Sequence, residues 1–230
     1  AVHQQFKVVD DFMVLGASKR GWTTWLTAAV DPRVKAIIPL VIDVLNFLYQ
    51  VAHHWESYGT YSPAVQDYVD FDLFCRVNND PLASDLLNIV DPYRFLSKLP
   101  MPKLIVNASG DQFFLLDSSR YYYHDLPNQA QTYLRYYPNA DHYMEPVLED
   151  YAQMLGLLGW AVNTFDGTPN PQYSWYVDGN GAIVVQTSSS PDQVKLWQAT
   201  NPYGRDFRLE TVGPIYTSST ASDHRASLNA

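Results

Sequence analysis

The sequence predicts an α/β fold with a mainly parallel sheet, followed by a small β unit near the C-terminus. Four short runs have the character of strands in a buried sheet. They are FMVLGA at 12–17, VKAIIPLV at 34–41, KLIVNA at 103–108 and TYLRYY at 132–137. The stretch 19–30 has helical periodicity and ends at Asp31-Pro32, because a residue before proline is disfavoured in a helix. Strands that alternate with helices in this order are typical of a parallel sheet.

The α/β domain is predicted to extend over residues 1–167. Residues 1–10 have the spacing of the end of a helix, and 144–165 that of a long helix with one apolar side. The stretch 44–99 lies between the second and third strands and is rich in Tyr, Phe and Trp. An insertion of this length between two strands is often a lid over a binding site, so we expect an aromatic lid there.

A small β domain with a sandwich-like arrangement is predicted over residues 168–217, after a linker that contains Pro169 and Pro171. Its strands are expected at 173–177, 182–187 and 193–199, with a fourth at 207–211. The sequence DGNG between the first two predicts a hairpin turn. Residues 218–230 are polar and are expected to form a disordered tail.

Composition and charge exclude several classes of protein. The 230 residues carry 15 basic and 24 acidic side chains, a formal charge of −9. Nucleic-acid binding needs a basic surface, so no nucleic-acid partner is expected. No apolar run is long enough to span a bilayer, and no signal peptide follows Ala1. The single cysteine, Cys75, excludes an intrachain disulfide and is expected to be a buried small hydrophobic residue. No metal or other cofactor is predicted.

The segment GASKRG at 16–21 stands at the junction of the first strand and the first helix. This is the context of a nucleophile elbow, the tight turn that lifts a serine Oγ above the edge of a sheet. The backbone N–H of Lys19 would begin the helix and point at a developing oxyanion. The usual pattern is G-x-S-x-G, but here Arg20 occupies the place of the second glycine and Gly21 comes one residue late. The motif alone leaves a strand–helix turn with Ser18 as a capping residue as an equal alternative.

Two further residues with the chemistry of a catalytic triad follow later strands. Asp111 comes shortly after the third strand, and His142 shortly after the fourth. The triad of α/β-hydrolases has the chain order Ser, Asp or Glu, His. Because ligands bind at the carboxyl ends of parallel strands, we expect Ser18, Asp111 and His142 to meet there. They predict a serine hydrolase in which His142 takes the Ser18 proton and Asp111 orients the imidazole.

Other residues compete for these roles or admit another interpretation. The alternative interpretation of Asp111 is that it forms a turn after Gly110. Asp117 is the rival acid, and Asp141 ranks lower because neighbours in a tight loop seldom orient each other.

The remaining histidines have simpler interpretations. The adjacent pair His53 and His54 lacks the HxxxH or HExxH spacing of metal ligands, so we expect both in the lid, facing substrate. His124 is expected on a helix surface, and the run Tyr121–Tyr123 is expected to serve packing and helix surface.

Lys19 and Arg20 break a local rule, because cations at a helix N-terminus oppose the helix dipole. Such conflicts concentrate at functional sites. One interpretation is that the two cations help to bind the oxyanion or an acidic substrate. The alternative is that Arg20 forms an internal salt bridge, for example to Asp43. The sequence leaves both open.

Longer stretches around these residues resemble the PhoPQ-activated pathogenicity-related protein family over most of residues 10–210. The resemblance is carried by GASKRGWTTWLTAAVDPRVKAIIPLVIDVLN, VNASGDQFF, YPNADHYME and VKLWQATNPYGRDFR. It implies an α/β-hydrolase-like domain with a β-sandwich-like C-terminal part, and a secreted or cell-envelope protein. It also implies that Ser18, Asp111 and His142 are catalytic. A weaker similarity to glucuronoyl esterases covers only the elbow.

The sequence before Ser18 is short for this fold. An α/β-hydrolase has several strands before its elbow, and a loop after one of them supplies an oxyanion-hole N–H. We therefore expect either that the sequence is a fragment or that the missing strands belong to another chain.

Two functions are predicted side by side. The first is a serine hydrolase that cleaves a small-molecule ester or a peptide. The second is a secreted signalling or binding protein on a hydrolase scaffold, with weak or no catalysis and a protein partner at the cell surface. The family's regulatory members and the aromatic insertion favour the second function. The variant Ser18→Ala distinguishes the two, because only the first depends on the serine.

Overall fold

A computed structural model of the chain describes residues 9–145, 147, 150–221 and 225–226. The described residues divide into two compact units. The first contains the chain up to residue 154 together with 201–214, and the second contains 155–200 and the residues from 215 onward. The predicted helix end over 1–10 falls almost entirely outside the described residues. In the part of the chain that the structure describes, no helix is both long enough and apolar enough to cross a membrane.

The first unit is built on a four-stranded sheet whose neighbouring strands are all parallel. Its strands are β1 (Phe12–Ala17), β2 (Val34–Leu40), β3 (Lys103–Ala108) and β4 (Thr132–Tyr137), in the spatial order β1-β2-β3-β4. Because the strands are parallel and adjacent in chain order, the loops after β1, β3 and β4 open at one edge of the sheet. The predicted α/β class and all four predicted strands are confirmed.

Helices connect the strands of the first unit. The helix α1 (Lys19–Val30) joins β1 to β2, as predicted. The insertion between β2 and β3 is helical throughout most of its length and is called the lid. It contains α2 (Phe47–Tyr58), α3 (Gln66–Asp70), α4 (Leu73–Asn79) and α5 (Pro81–Val90), with 3₁₀ turns at Pro63–Val65 and Pro92–Lys98. Further 3₁₀ turns at Ser118–Tyr121, Tyr123–Asp125 and Gln129–Gln131 lie between β3 and β4.

The core of the first unit forms where α1 and the lid connections pack on the sheet. Trp25 of α1 and Ile37 of β2 are fully buried, and so is Leu99 just before β3. All six residues of β3 are buried, which explains why its sequence shows no polar alternation. The buried central strands therefore form a rigid base for the loops at their carboxyl ends.

The second unit contains two small antiparallel sheets. One has β5 (Tyr173–Val177), β6 (Ile183–Thr187) and β9 (Arg225–Ala226), and the other has β7 (Lys195–Gln198) and β8 (Thr217–Thr220). The helix α6 (Tyr151–Asp166) leads into this unit. It begins later than the predicted 144–165, and residues 146, 148 and 149 of the predicted range lie outside the described residues. Most of β8, from residue 218 onward, and all of β9 fall within 218–230, where a disordered tail was predicted.

The predicted strand at 207–211 is wrong. Those residues enter the short helix α7 (Leu209–Val212), and the segment 201–214 belongs to the first unit. The backbone N–H of Leu209 donates to the carbonyl oxygen of Gly110 at 2.9 Å, so the segment adds to the loop after β3 instead of a β sheet. The observed division therefore differs from the predicted boundary at residue 167.

Candidate active site

Ser18 occupies a strained turn between β1 and α1. Its backbone has φ 54° and ψ −126°, a conformation that non-glycine residues rarely adopt and that costs on the order of 1–3 kcal/mol. Its N–H donates to the carbonyl oxygen of Leu40 at 2.9 Å, which ties the turn to the end of β2. The N–H of Trp22 donates to the carbonyl oxygen of Ser18, so α1 begins directly behind the turn. Ser18 is held in the geometry of a nucleophile elbow.

Two glycines permit this turn. A Cβ on Gly16 would lie 2.5 Å from the carbonyl oxygen of Arg20, and a Cβ on Gly21 would lie 2.4 Å from Cγ2 of Ile42. Both distances are shorter than any real contact, so β1, α1 and the residues after β2 approach closely only because these positions lack side chains. Gly21 therefore performs the packing role of the second motif glycine from one position later, and Arg20 is left exposed.

The three residues predicted to form a triad are brought together. The Oγ of Ser18 lies 2.8 Å from Nε2 of His142, and Nδ1 of the same ring lies 2.8 Å from Oδ2 of Asp111. Asp111 and His142 are buried, whereas Ser18 remains partly open to solvent. This arrangement can carry a proton from the serine hydroxyl to the imidazole while the carboxylate faces the other ring nitrogen.

The surroundings of Asp111 fix its orientation. Its Oδ1 accepts from the backbone N–H groups of Phe113 at 2.7 Å and Phe114 at 3.1 Å, which leaves Oδ2 for His142. Burial raises the pKa of Asp111, while its hydrogen bond with His142 acts in the opposite direction. The Phe113 ring lies 4.2 Å from the imidazole, centroid to centroid, and covers it. The sequence alone gives no signal for this aromatic contact.

The rival acids have other partners. Asp117 lies 2.6 Å from Nε2 of His53 and accepts from Nη2 of Arg205 at 2.6 Å. These contacts lower the pKa of Asp117 against the opposing effect of burial. Asp141 accepts from the backbone N–H groups of Tyr143 and Met144, so it shapes the loop beside His142. The geometry therefore places Asp111, and neither rival, against the imidazole.

The segment 201–214 braces this end of the sheet, which sequence reasoning missed. Arg208 donates to Oγ of Ser62 in the lid at 3.2 Å, and its guanidinium lies 4.7 Å from the ring centre of Tyr58. Asp206 accepts from the same guanidinium at 2.6 Å. The contact from α7 to the loop after β3 makes the lid, that loop and this segment one connected structure.

His53 and His54 lie in α2 of the lid, as predicted, and both are buried; His54 lines the cavity beside Ser18, whereas His53 contacts Asp117. His124 is exposed in a 3₁₀ turn. Cys75 is exposed on α4, so its predicted burial is wrong: it lies on the outward side of a short lid helix. Within the described residues, no group of three or more His, Cys, Asp or Glu side chains could hold a metal ion.

Lys19 and Arg20 are both exposed at the start of α1. The predicted alternative of an Arg20–Asp43 salt bridge is wrong. Asp43 is buried and accepts a short hydrogen bond from the Tyr122 hydroxyl and another from Nδ2 of Asn107 at 2.9 Å. Burial raises the pKa of Asp43 to about 7. Lys19 lies at the wall of the cavity beside Ser18, whereas Arg20 does not line it.

A cavity, called the lid pocket, lies between the elbow and the lid. It holds about 750 Å³ of space, part of it solvent at its open mouth. Its walls are mainly apolar and aromatic, with a few polar side chains. The aromatic residues are Trp22, Phe47, Tyr61, Tyr68, Phe74, Phe113 and Phe114, and the polar ones include Ser18, Lys19, Asp43, Gln50 and His54.

The sequence profile of the PhoPQ-activated pathogenicity-related protein family matches residues 1–208. The chain belongs to this family. Autocrine proliferation repressor protein A of Dictyostelium discoideum is 34% identical over 216 residues, which cover 90% of this chain and 43% of that protein. This PhoPQ-related chain thus spans less than half the length of that curated relative. The family resemblance drawn from the sequence is confirmed.

Solved structures similar to this PhoPQ-related protein include hydrolases. An acylaminoacyl peptidase of Pyrococcus horikoshii matches with a TM-score of 0.47 and 15% identity, covering 72% of this chain and 26% of that one. Acetyl xylan esterase 1 of Thermoanaerobacterium sp. JW/SL YS485 matches with a TM-score of 0.47 and 15% identity, covering 69% and 47%. At this identity the likeness concerns the fold alone. The parallel sheet with its elbow and the small antiparallel sheets agree with the α/β-hydrolase-like class predicted from the sequence.

Proposed function

We propose that this PhoPQ-related protein is a serine hydrolase that cleaves an ester or amide with Ser18 as nucleophile, His142 as base and Asp111 as the orienting acid. The observation that supports the proposal most strongly is the continuous hydrogen-bonded chain from Ser18 through His142 to Asp111, with 2.8 Å at both links. A serine hydroxyl is a poor nucleophile without such a base.

The first half of the proposed reaction forms an acyl-enzyme. Oγ of Ser18 attacks the carbonyl carbon as Nε2 of His142 takes the hydroxyl proton, and the carbonyl oxygen becomes an oxyanion. The first N–H groups of a helix have no intrahelical partner, so the N–H of Lys19 is available to donate to this oxyanion. The carbon–leaving-group bond then breaks, and the leaving group departs with the proton from Nε2.

The second half restores the enzyme. Water attacks the acyl carbon as Nε2 of His142 accepts a proton from it, and the Oγ–acyl bond breaks as that proton returns to Ser18. In both halves of the reaction, Asp111 accepts a hydrogen bond from Nδ1–H of His142 and stabilises the imidazolium. Lys19 places a cation near the developing negative charge and, with Arg20, favours substrates that carry an acidic group nearby.

The test is hydrolysis of ester and aminopeptidyl substrate panels by the full-length protein, with Ser18→Ala as the control. The proposal expects turnover that Ser18→Ala abolishes, and the panel that is turned over decides between esterase and peptidase. Activity that persists in Ser18→Ala would reject Ser18 as the nucleophile.

A signalling role is the second candidate, and the name of the Dictyostelium relative favours it. Such a role fits a secreted or cell-envelope protein that binds a protein partner at the cell surface. A proliferation assay with the full-length Ser18→Ala variant separates the two functions. Repression that survives this change supports binding without catalysis, and repression that is lost makes catalysis part of the signal.

A further inference from the structure

The aromatic rings of the lid pocket form a connected cluster centred on Phe74. Its ring centroid lies 4.6 Å from that of Tyr61, 6.0 Å from Tyr68 and 6.5 Å from Phe47. All four side chains are only half-buried and line the pocket, so part of each ring is uncovered. Aromatic walls gain most from a flat ring placed edge-to-face or offset against them. The cluster therefore suits an aromatic ring better than a flexible chain.

One polar side chain that lines this apolar pocket carries a buried atom with no hydrogen-bond partner among the described residues. Gln50 of α2 lines the pocket with only 8% of its surface exposed. Its Nε2 donates to the carbonyl oxygens of Leu45 at 3.0 Å and Ser118 at 3.1 Å, so the amide cannot be flipped without setting its oxygen against two carbonyls. Its Oε1 is buried and accepts no hydrogen bond within the described chain. A buried acceptor without a hydrogen bond destabilises the protein, and a ligand O–H or N–H would satisfy it.

His54, one helical turn after Gln50, makes the pocket neutral on this side. Its Nε2 accepts from the N–H of Ser62 at 2.9 Å, so the neutral ring carries its proton on Nδ1. Burial lowers the pKa of His54 to about 4, and the ring is uncharged at neutral pH. Gln50 and His54 therefore suit a neutral hydroxyl on this side of the pocket, whereas the cation of the pocket, Lys19, lies at the wall beside Ser18.

The position of His142 indicates which part of a substrate enters the pocket. His142 gives its proton to the leaving group, so the leaving group must lie on the imidazole side of Ser18. Ser18 lines the lid pocket, whereas His142 does not. The acyl part of the substrate is therefore the part directed into the lid pocket.

We propose that the lid pocket binds the acyl group of the substrate as a phenol-type aromatic ring, with the ring packed against the exposed sides of Phe74 and its aromatic neighbours and the hydroxyl donating to Oε1 of Gln50. The acyl assignment rests on the proposed function of Ser18. Recognition of the phenol ring rests on the pocket alone.

The kinetic test uses p-nitrophenyl esters of four acids: acetic, hexanoic, phenylacetic and 4-hydroxyphenylacetic acid. We expect kcat/KM for phenylacetate to exceed that for hexanoate by about tenfold, and the 4-hydroxyl to add about fivefold or more. Phe74→Ala should remove most of the ring preference. Phe71→Ala is the matched control, because Phe71 is 78% exposed on the same lid. A wild-type preference for hexanoate over both ring esters would overturn the proposal.

Gln50→Met tests the hydroxyl contact. The ratio of kcat/KM for the 4-hydroxylated ester to that for its parent should fall to about one. Because this ratio is taken within one protein, a partial loss of folded protein does not change it. If the variant does not fold, the wild-type ratio still decides, since a ratio of one or below in the wild type contradicts the contact with Oε1.

A binding measurement separates this inference from the proposed function. Calorimetric titration of the full-length Ser18→Ala variant with 2-(4-hydroxyphenyl)acetamide, and with 2-phenylacetamide as control, needs no chemistry. Tighter binding of the hydroxylated amide, lost in a variant that also carries Gln50→Met, supports the pocket assignment even if no ester is hydrolysed. Equal or undetectable binding of both amides overturns the assignment, even if Ser18 proves to be a nucleophile.

Discussion

The exchange Asp111→Asn tests the proton path at the proposed site. In the wild type, Oδ1 of Asp111 accepts two backbone N–H groups, from Phe113 and Phe114, while Oδ2 faces Nδ1 of His142. The asparagine oxygen will keep the two backbone bonds, so its NH₂ group must point at Nδ1. That nitrogen then becomes an acceptor, the ring proton moves to Nε2, and Nε2 donates to Ser18 where it should accept.

The magnitude follows from this change of tautomer. Loss of the correct tautomer in a Ser-His-Asp triad lowers kcat about 10⁴-fold, or about 5 kcal/mol of activation free energy. Stability should not fall in parallel. Burial raises the pKa of Asp111, which means that the folded state disfavours its charge, and asparagine carries none.

The assay measures kcat on the best ester substrate, and the midpoint of urea unfolding is measured for the same variants. The matched control is Asp117→Asn, which alters the rival acid that contacts His53 and leaves the His142 contact intact. We expect kcat of the control to stay within about threefold of the wild type. If Asp111→Asn keeps a tenth or more of the wild-type kcat, or if Asp117→Asn is the variant that loses it, the assignment of the acid is wrong.

Three further changes test the packing around the site. Gly21→Ala would place a Cβ 2.4 Å from Cγ2 of Ile42, so we expect the free energy of unfolding to fall by about 2–3 kcal/mol. An unchanged urea midpoint would show that α1 can move away from Ile42. Asp43, whose pKa burial raises to about 7, keeps its proton in the folded state where the unfolded chain has lost it. The stabilisation that protonated Asp43 gives to the folded state is therefore full below about pH 4 and is lost as pH rises to about 7. Across this range the free energy of unfolding should fall by up to about 4 kcal/mol. Urea unfolding across this range should show the slope in the wild type and a flatter one in Asp43→Asn, and equal slopes would contradict the raised pKa. Tyr122→Phe removes the hydroxyl that donates to Asp43 and should cost about 1–3 kcal/mol, read from the thermal midpoint, and a midpoint equal to that of the wild type would show that this bond adds nothing.

The sequence predicted those parts of the fold that local pattern controls. The strands β3 and β4 have the predicted bounds because an apolar or β-prone run between turn residues is a local signal. The meeting of Ser18, Asp111 and His142 was predictable because parallel strands bring the loops at their carboxyl ends to one edge.

Other features depend on long-range contacts that no local pattern reveals. The pattern of residues 207–211 predicts a strand, but these residues lead into α7. Leu209 contacts Gly110, which lies 99 residues away in the chain. The position of Gly21 weakens the elbow motif as a sequence signal, because the close approach of Gly21 to Ile42 after β2 is set by the fold and not by a local pattern. The exposure of Cys75 depends on which side of α4 faces outward, and this short helix has too few residues for a clear apolar face.

Covalent labelling at Ser18 tests the central claim most directly. The full-length protein is treated with a fluorophosphonate probe, and the modified peptide is identified by mass spectrometry beside that of folded Ser18→Ala. The proposed mechanism predicts one adduct on Ser18 of the wild type, formed quickly and lost in Ser18→Ala. Folded protein that acquires no adduct, or an adduct on another residue that persists in Ser18→Ala, would contradict the claim that Ser18 is an activated nucleophile.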